Sequence, residues 1–378
     1  MRFFHISDLH LGKRLHEFSL IEDQQYILDE ICCLTKKHSP NAVLISGDVY
    51  DKPIPTGEAV ALFDSFLSRL VNLGVLVFII SGNHDSAERL SFGASLMTKS
   101  GVYISPNYSG DAEKITLTDE YGQVNVHLLP FIKPQTVRGF FEEEVTDYTD
   151  ALSAAISRIN PDTSKRNILL AHQFVTGALR TESEEISVGG TDNVNAKVFY
   201  NFDYVALGHL HSPQSCDRPQ IRYSGSILKY SFSEAKDQKS ITVVDLLEKG
   251  KVNIFTLPLR PIRDMTVLRG KYTEIMSRDF YLEKSYHEDY VNVVLTDEED
   301  IIDVSAKLRT VYKNLMHVEY DNARTRGVSS LTQLADESEP SPLELFAELF
   351  RLQNNKKMST EQEKIISGVI ERLTEDRI

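Results

Sequence analysis

The sequence predicts an α/β protein of stacked layers with mostly parallel strand pairing, followed by a small α/β domain and two amphipathic helices. Three observations carry this. Runs of β-branched and apolar residues alternate with segments of helical period over the first 260 positions. A second, shorter alternation follows Pro258 and Pro261. Beyond a polar stretch, two apolar stripes at helical spacing complete the 378 residues.

In order, a strand at 2–6 precedes a helix near 20–38, where Leu20, Ile21, Ile27, Leu28 and Ile31 recur at helical spacing. A strand at 42–46 leads to a helix near 57–73, and one at 75–80 to a helix near 86–99. Further strands are expected at 124–129, 167–171, 203–207, 220–224, 240–245 and 252–257, with one helix at about 147–159 among them. The second pattern reads strand 263–268, helix 271–277, strand 290–296, helix 301–315 and strand 317–320. Residues 322–341 are polar and contain prolines, as a linker does. In the tail, Leu343, Phe346, Leu349 and Phe350 form one stripe after Pro342. Ser359-Thr360-Glu361-Gln362 resembles a capping box ahead of Ile365, Ile366, Val369, Ile370 and Leu373. The expected division is therefore 1–260, a small α/β domain at 261–321, a linker at 322–341 and a helical tail at 342–378. Lying beyond a linker, the tail hairpin suits a partner's groove.

Composition sets limits on function. Apolar content of 41% and charged content of 25% suit a soluble globular protein. No apolar run reaches the roughly 18 residues of a membrane helix, no signal peptide is evident, and Met1 runs straight into a strand. Three cysteines make no disulfide framework and read as small buried hydrophobes of a reducing compartment, so a cytoplasmic location is expected. The formal charge is −14, shared about equally between residues 1–260 (25 Lys+Arg against 32 Asp+Glu) and the remainder (16 against 23). No basic excess exists to attract a polyanion. Such a substrate would need bound cations and a partner to offset the repulsion.

The chemistry lies in five short clusters, each after an apolar run: Asp8-Leu9-His10, Gly47-Asp48-Val49-Tyr50-Asp51, Asn83-His84-Asp85, His172 and His209-Leu210-His211. Residues i and i+2 of a strand share a face, so Asp8 with His10, and His209 with His211, can each reach one ion. Strand ends of open α/β sheets are where ligand sites assemble. Oxygen and nitrogen donors without thiolate favour Mn, Fe or Zn. Asp8, His10, Asp48, Asn83, His172, His209 and His211 are too many for one tetrahedral ion and suit two, roughly 3.5–4 Å apart, as in phosphate-ester hydrolases. Asp48, in a middle cluster, is the candidate bridge. His84, beside Asn83, is the best unassigned group to protonate the leaving oxygen, and Asp51 could orient it.

The ordered set Asp-x-His, Gly-Asp-x-x-Asp, Gly-Asn-His-Asp, His and Gly-His-x-His resembles that of the calcineurin-like metallophosphoesterases. Within that family His5–Gly12, Gly47–Pro53, Ser81–Ser86, Leu170–Phe174 and Tyr223–Glu234 are similar to the nuclease subunits of bacterial complexes built on a coiled-coil ATPase. The resemblance implies a four-layer α/β/β/α sandwich with a cap domain and C-terminal helices. It implies one ion held by Asp8, His10, Asp48 and His211, a second by Asp48, Asn83, His172 and His209, and His84 as proton donor. It further implies two Mn²⁺ per chain, with Mg²⁺ or Fe as substitutes, and 3′-to-5′ exonuclease and endonuclease action on DNA. The tail at 342–378 would bind the ATPase, and helices near 57–73 and 86–99 would pair two copies. One departure is Ala171, where many phosphoesterases place glycine.

Plainer readings cover the remaining candidates. His5, His38, His127, His287 and His317 are expected to be structural, and His16 a loop residue. Asp85 is expected to make loop hydrogen bonds, Arg89 to lie on a solvated helix face with contact to a substrate phosphate as the alternative, and Glu142–Glu144 and Glu182–Glu185 to be solvated loop charge. A phosphatase or cyclic-nucleotide phosphodiesterase shares the same two-metal core. A scaffold with a vestigial site is disfavoured by the complete ligand set.

Overall fold

The computed structural model describes all residues except 143, 185–191, 283, 324, 326–342, 344–345, 348–349, 352–357 and 376–378. Strand Ala42–Ser46 is buried at every position, as an interior strand of a covered sheet must be. It pairs in parallel with Arg2–Ile6 on one side and Leu76–Ile80 on the other. Val102–Ile104 adds a fourth parallel strand, and Ser240–Leu246 and Val252–Pro258 complete the far edge antiparallel. A second six-stranded sheet runs Gln214–Cys216, Arg218–Tyr223, Tyr204–Gly208, Arg166–His172, Gly122–Leu128, Glu113–Asp119. Its four inner strands are parallel and its outer two antiparallel.

The period-two alternation of strand side chains builds the layers. From the second sheet, Val126, Leu128, Ile168, Leu170 and Ala206 pack with Phe3, Leu44, Phe78 and Ile80 of the first. Their neighbours Leu169, Ala171, Val205 and Leu207 face the other way, against Ala151, Leu152 and Ala155 of helix Tyr148–Ile159. Helix Ile21–His38 buries Ile27, Leu28, Ile31 and Cys32, and helix Gly57–Asn72 buries Phe63, Phe66, Leu67 and Leu70. Glu22 and Asp23 in the first turn and Lys36, Lys37 and His38 in the last suit the helix dipole of Ile21–His38, and Ser39 ends it in the left-handed conformation. The result is the four-layer α/β/β/α sandwich.

Two elements depart from expectation. The helix expected near 86–99 is broken into Ala87–Leu90 and Ala94–Met97, because Gly93 between them takes a left-handed φ of 75°. Glu113–Asp119, a strand not anticipated, is a half-exposed edge whose charged residues hide its alternation.

Met1–Met265 forms one compact unit and Thr266–Ile378 the other. In the second unit, strands Met265–Gly270, Tyr290–Leu295 and Leu315–Tyr320 form a sheet whose last two strands are parallel. Leu268, Ile275, Val291, Val293, Leu295, Leu308 and Tyr312 make its core, with Tyr312 Oη donating to the Ile275 carbonyl at 2.6 Å. The helix expected at 301–315 is confined to Val304–Arg309, since Asp303 before it has φ 54°. The capping box is present: Gln362 Oε1 accepts the Ser359 N–H at 2.9 Å and Ser359 Oγ accepts the Gln362 N–H at 3.3 Å, opening helix Thr360–Glu375. Most of the expected linker and much of the first tail helix lie outside the described residues. No described helix is long and apolar enough to cross a membrane.

Opposite the strand ends that carry the ligands, Arg166 is 2% exposed and pairs with Asp119. It also donates to the Leu246, Leu247 and Gly122 carbonyls at 3.3, 2.9 and 2.8 Å, while the Met1 amine reaches Asp119 and Leu246 O at 2.9 Å. Arg166→Met removes one donor from Asp119 and from each of three carbonyls, leaving Asp119 and the Leu246 carbonyl to the Met1 amine, and should lower unfolding stability by about 3 kcal/mol. Denaturant unfolding checks this, and a loss under about 1 kcal/mol would show that the network contributes little.

Candidate metal centre

All five clusters sit where a strand of one of the two sheets ends. The loops after Arg2–Ile6 and Ala42–Ser46 are zipped together: Asp8, His10 and Leu11 donate backbone N–H to the carbonyls of Gly47, Asp48 and Val49 at 2.9–3.0 Å. In the second sheet His172 is level with Gly208, so His209 begins just past it. Holding the side chains inward strains the backbone. Of nine non-glycine residues with positive φ among those described, four are Asp8, His10, Asp48 and His209.

The seven candidate ligands converge. Asp8, His10 and His211 form one group with donor atoms within 4.8 Å of one another, and Asp8, Asp48 and His172 another. Asp48 Oδ2 lies 3.6 Å from His10 Nε2 and 3.4 Å from His172 Nε2, so one oxygen faces both groups. Asn83 Oδ1 lies 3.0 Å from both His172 Nε2 and His209 Nδ1. His172 Nδ1 is committed to the Ser46 carbonyl at 2.8 Å, which turns its Nε2 to the centre. His10 and His211 bring their Nε2 atoms together at 3.2 Å. Ring nitrogens and carboxylate oxygens packed this closely, away from water, need protons or cations between them, and His209 Nε2 is buried with no hydrogen-bond partner. The donor set fits divalent metal, with nitrogen and oxygen atoms and no thiol.

His84 stands at the rim. Its ring meets that of His10 edge-on at 4.8 Å, and its backbone N–H donates to Asp48 Oδ1 at 2.9 Å. Its Nδ1 is 3.1 Å from the Asp51 carbonyl oxygen, so it carries a proton there and Nε2 points away. Asp51 therefore orients His84 through its backbone. Its carboxylate is occupied by Lys13 at 2.8 Å, a division of roles that spacing could not reveal. His10, Asp48 and His84 also lie within 4.8 Å of one another, so His84 stands close to the ligands as well as free of them.

Electrostatics in the absence of metal follow from burial. Burial raises the Asp8 carboxyl to about 6. For His172, burial opposes the charge, but Asp48 and Asp8 outweigh it and lift the imidazole to about 9. Burial would likewise raise Asp48, yet His172, His10 and His84 hold it well below the carboxylate range. Burial, with His172 adding to it, drops His209 to about 3.

Some residues were misread from sequence. Glu184, expected among solvated loop charges, is buried, with Oε1 accepting the His211 N–H at 2.7 Å. Glu182 is exposed as expected, and Glu185 lies outside the described residues. Glu234 and Lys239, close behind His211, were not singled out, since the pairing of distant charges leaves no periodic signal. Asp85 collects the N–H groups of Gly82, Val49 and Tyr50 at 2.9–3.1 Å, as a loop-bracing carboxylate does. His5 is fully buried with Nδ1 at 2.9 Å from Tyr204 Oη, tying the two sheets together. Arg89 is exposed.

Metal must displace the proton on His172, held below pH about 9, and then that on Asp8, held below about 6. Mn²⁺ affinity should therefore fall about tenfold per unit as pH drops from 9, and more steeply below 6. Calorimetric titrations at pH 6, 7, 8 and 9 in buffers of differing ionisation enthalpy measure both affinity and protons released. A flat profile with no proton release would contradict the charge arrangement.

Residues 1–213 match the calcineurin-like phosphoesterase family, and residues 261–354 match SbcD_C, described as the type 5 capsule protein repressor C-terminal domain. Among solved structures, a dimetal phosphatase from Danio rerio is 12% identical, with 69% of this chain and 99% of that one covered at a TM-score of 0.40. A Thermus thermophilus protein is likewise 12% identical, with 68% and 98% covered at 0.37. The two family matches in this order support an SbcD-type nuclease, a metal-dependent phosphodiester hydrolase. The first match spans more than half of the sequence and every candidate ligand, so the chain belongs to the calcineurin-like phosphoesterases.

Proposed function

We propose that the chain is the nuclease subunit of a DNA end-processing complex used in repair, recombination and replication. It degrades duplex DNA 3′-to-5′, opens hairpins and cuts single strands. The observation that carries this reading is the convergence of seven nitrogen and oxygen donors beside a histidine left free for proton transfer, in a chain whose C-terminal part matches SbcD_C.

In this reading Asp8, His10, Asp48 and His211 hold one Mn²⁺ and Asp48, Asn83, His172 and His209 the other, with Mg²⁺ or Fe as substitutes. Two cations held there would supply hydroxide near neutral pH and offset the charge of a bound phosphodiester. His84, with Nδ1 committed to the Asp51 carbonyl, presents Nε2 to the leaving oxygen and gives it a proton. The Ser46 carbonyl and Asp85 hold His172 and the Asp48 loop in place while charge changes at the centre.

Residues 261–321 serve as the DNA-binding cap, and 342–378 dock on an SbcC-type coiled-coil ATPase. The net charge of −14 supports a partner that supplies the basic surface. Two copies pair through residues 57–73 and 86–99, a reading supported by the exposure of Val60, Phe92 and Leu96. The three cysteines are free, in keeping with a cytoplasmic location.

A nuclease assay on blunt, hairpin and single-stranded DNA with Mn²⁺ or Mg²⁺, with and without the ATPase, tests the reading; no DNA degradation under any of these conditions would end it. His84→Ala should keep Mn²⁺ binding within about twofold and lower hydrolysis by about 10²–10⁴. Hydrolysis at the unaltered rate would remove His84 from the mechanism. Deletion of residues 342–378 should leave the melting temperature of the rest within a few degrees and abolish co-purification with the ATPase; retained co-purification would move the docking site elsewhere.

A further inference from the structure

Outside the ligand set, a fully buried ion pair lies directly behind His211. Glu234 has no exposed surface and Lys239 is 3% exposed, with Lys239 Nζ 2.5 Å from Glu234 Oε2. A hydrophobic pair of like volume would serve stability at least as well. What distinguishes the charged pair is where its remaining atoms point.

Ser183 Oγ donates to Glu234 Oε1 at 2.6 Å and stands 2.7 Å from His211 Nδ1. With the hydroxyl proton committed to the carboxylate, the serine oxygen is an acceptor toward the ring. Nδ1 then carries the imidazole proton and Nε2 is left bare, facing His10 at 3.2 Å. Glu234 Oε1 itself is 3.5 Å from His211 Nδ1, so the carboxylate stands next to the proton it controls. Lys239 Nζ donates to the His211 carbonyl at 2.8 Å, and Glu184 Oε1 accepts the His211 N–H at 2.7 Å. Ring, carbonyl and amide of this one residue are thus each held by an ionisable side chain or by a serine attached to one. His172 and His84, by contrast, rest their Nδ1 atoms on backbone carbonyls. Glu234 is itself pinned, by the Tyr230 N–H at 3.3 Å and Ser226 Oγ at 3.4 Å.

We propose that Glu234, balanced by Lys239 and acting through Ser183, is a positioning residue that holds His211 in its Nδ1-protonated form and strengthens Nε2 as a ligand for a divalent cation. The role rests on the reading of His211 as a ligand. A carboxylate behind a metal-binding histidine makes it a stronger donor, and loss of such a partner weakens metal binding by about 10- to 100-fold.

Mn²⁺ titration of the full chain, with free Mn²⁺ followed by electron paramagnetic resonance, tests this in four proteins: the unaltered chain, Glu234→Gln/Lys239→Gln, Ser183→Ala and His211→Ala. The double variant removes both charges together and leaves neither uncompensated. It is expected to retain its metal-free melting transition, to bind one Mn²⁺ as tightly as the unaltered chain, and to bind the other about 10- to 100-fold more weakly. Hydrolysis of bis(p-nitrophenyl) phosphate should recover when Mn²⁺ is raised by the same factor, so the metal requirement shifts while kcat is spared. Both ions bound at unaltered affinity by the double variant would overturn the proposal. Should that variant not fold, Ser183→Ala, which keeps both charges, decides: weaker binding of one ion supports the role and unaltered binding of both overturns it. His211→Ala separates the premises. If it keeps both ions at unaltered affinity, the ligand reading of His211 fails, and the proposal with it. If it loses one ion while the double variant loses none, only the positioning role falls.

Discussion

The hydrogen bond from His172 to the Ser46 carbonyl joins the last residue of a strand in one sheet to the last residue of a strand in the other. Much else follows from that contact. It requires the two face-packed sheets to approach at their ligand-bearing strand ends more closely than side chains usually allow. A Cβ on Gly208 would overlap the Ser46 carbonyl, and one on Gly47, which also has a φ of 90°, would lie 2.5 Å from His172 Nδ1. Glycine at both positions lets two strand ends supply ligands to one site. The layered core behind them, from Phe3 and Phe78 to Leu170 and Ala206, keeps that approach in register.

Backbone strain and buried charge at the centre are consequences of the same closeness. Asp8, His10, Asp48 and His209 accept left-handed φ values so that their side chains turn inward rather than alternate along a strand. In the absence of metal, the carboxylates of Asp48 and Asp8 hold a proton on His172, and burial favours a proton on Asp8 at mildly acid pH. Metal entering such a site would have to displace the proton on His172. His84 rests its Nδ1 on the Asp51 carbonyl at the rim of the cluster, with its ring against that of His10.

The acidity of the chain gives that exchange a wider meaning. With −14 formal charge spread over both parts, the strongest local attraction for a phosphodiester is the bound cations themselves. Under the proposed function, long-range capture of DNA would fall to a basic partner, and the amphipathic helix Thr360–Glu375, opened by a capping box, is a candidate contact for it.

The amino-acid order alone determined the layers and the ligand types. Period-two runs and helical stripes are local, so the strands at 2–6, 42–46 and 166–172 and the helices at 21–38 and 148–159 were legible to within a few residues. The five clusters were legible too, because each falls beside its own strand end. Tertiary structure alone decided what depends on distant residues meeting. It broke the helix near 86–99 at Gly93, gave Asp51 to Lys13 and its carbonyl to His84, and buried Glu184 and Glu234 behind His211. A carboxylate in a loop looks the same in sequence whether it faces water or a histidine proton. Only the packing of segments some 30 to 200 residues apart sets its partner, its burial and therefore its chemistry.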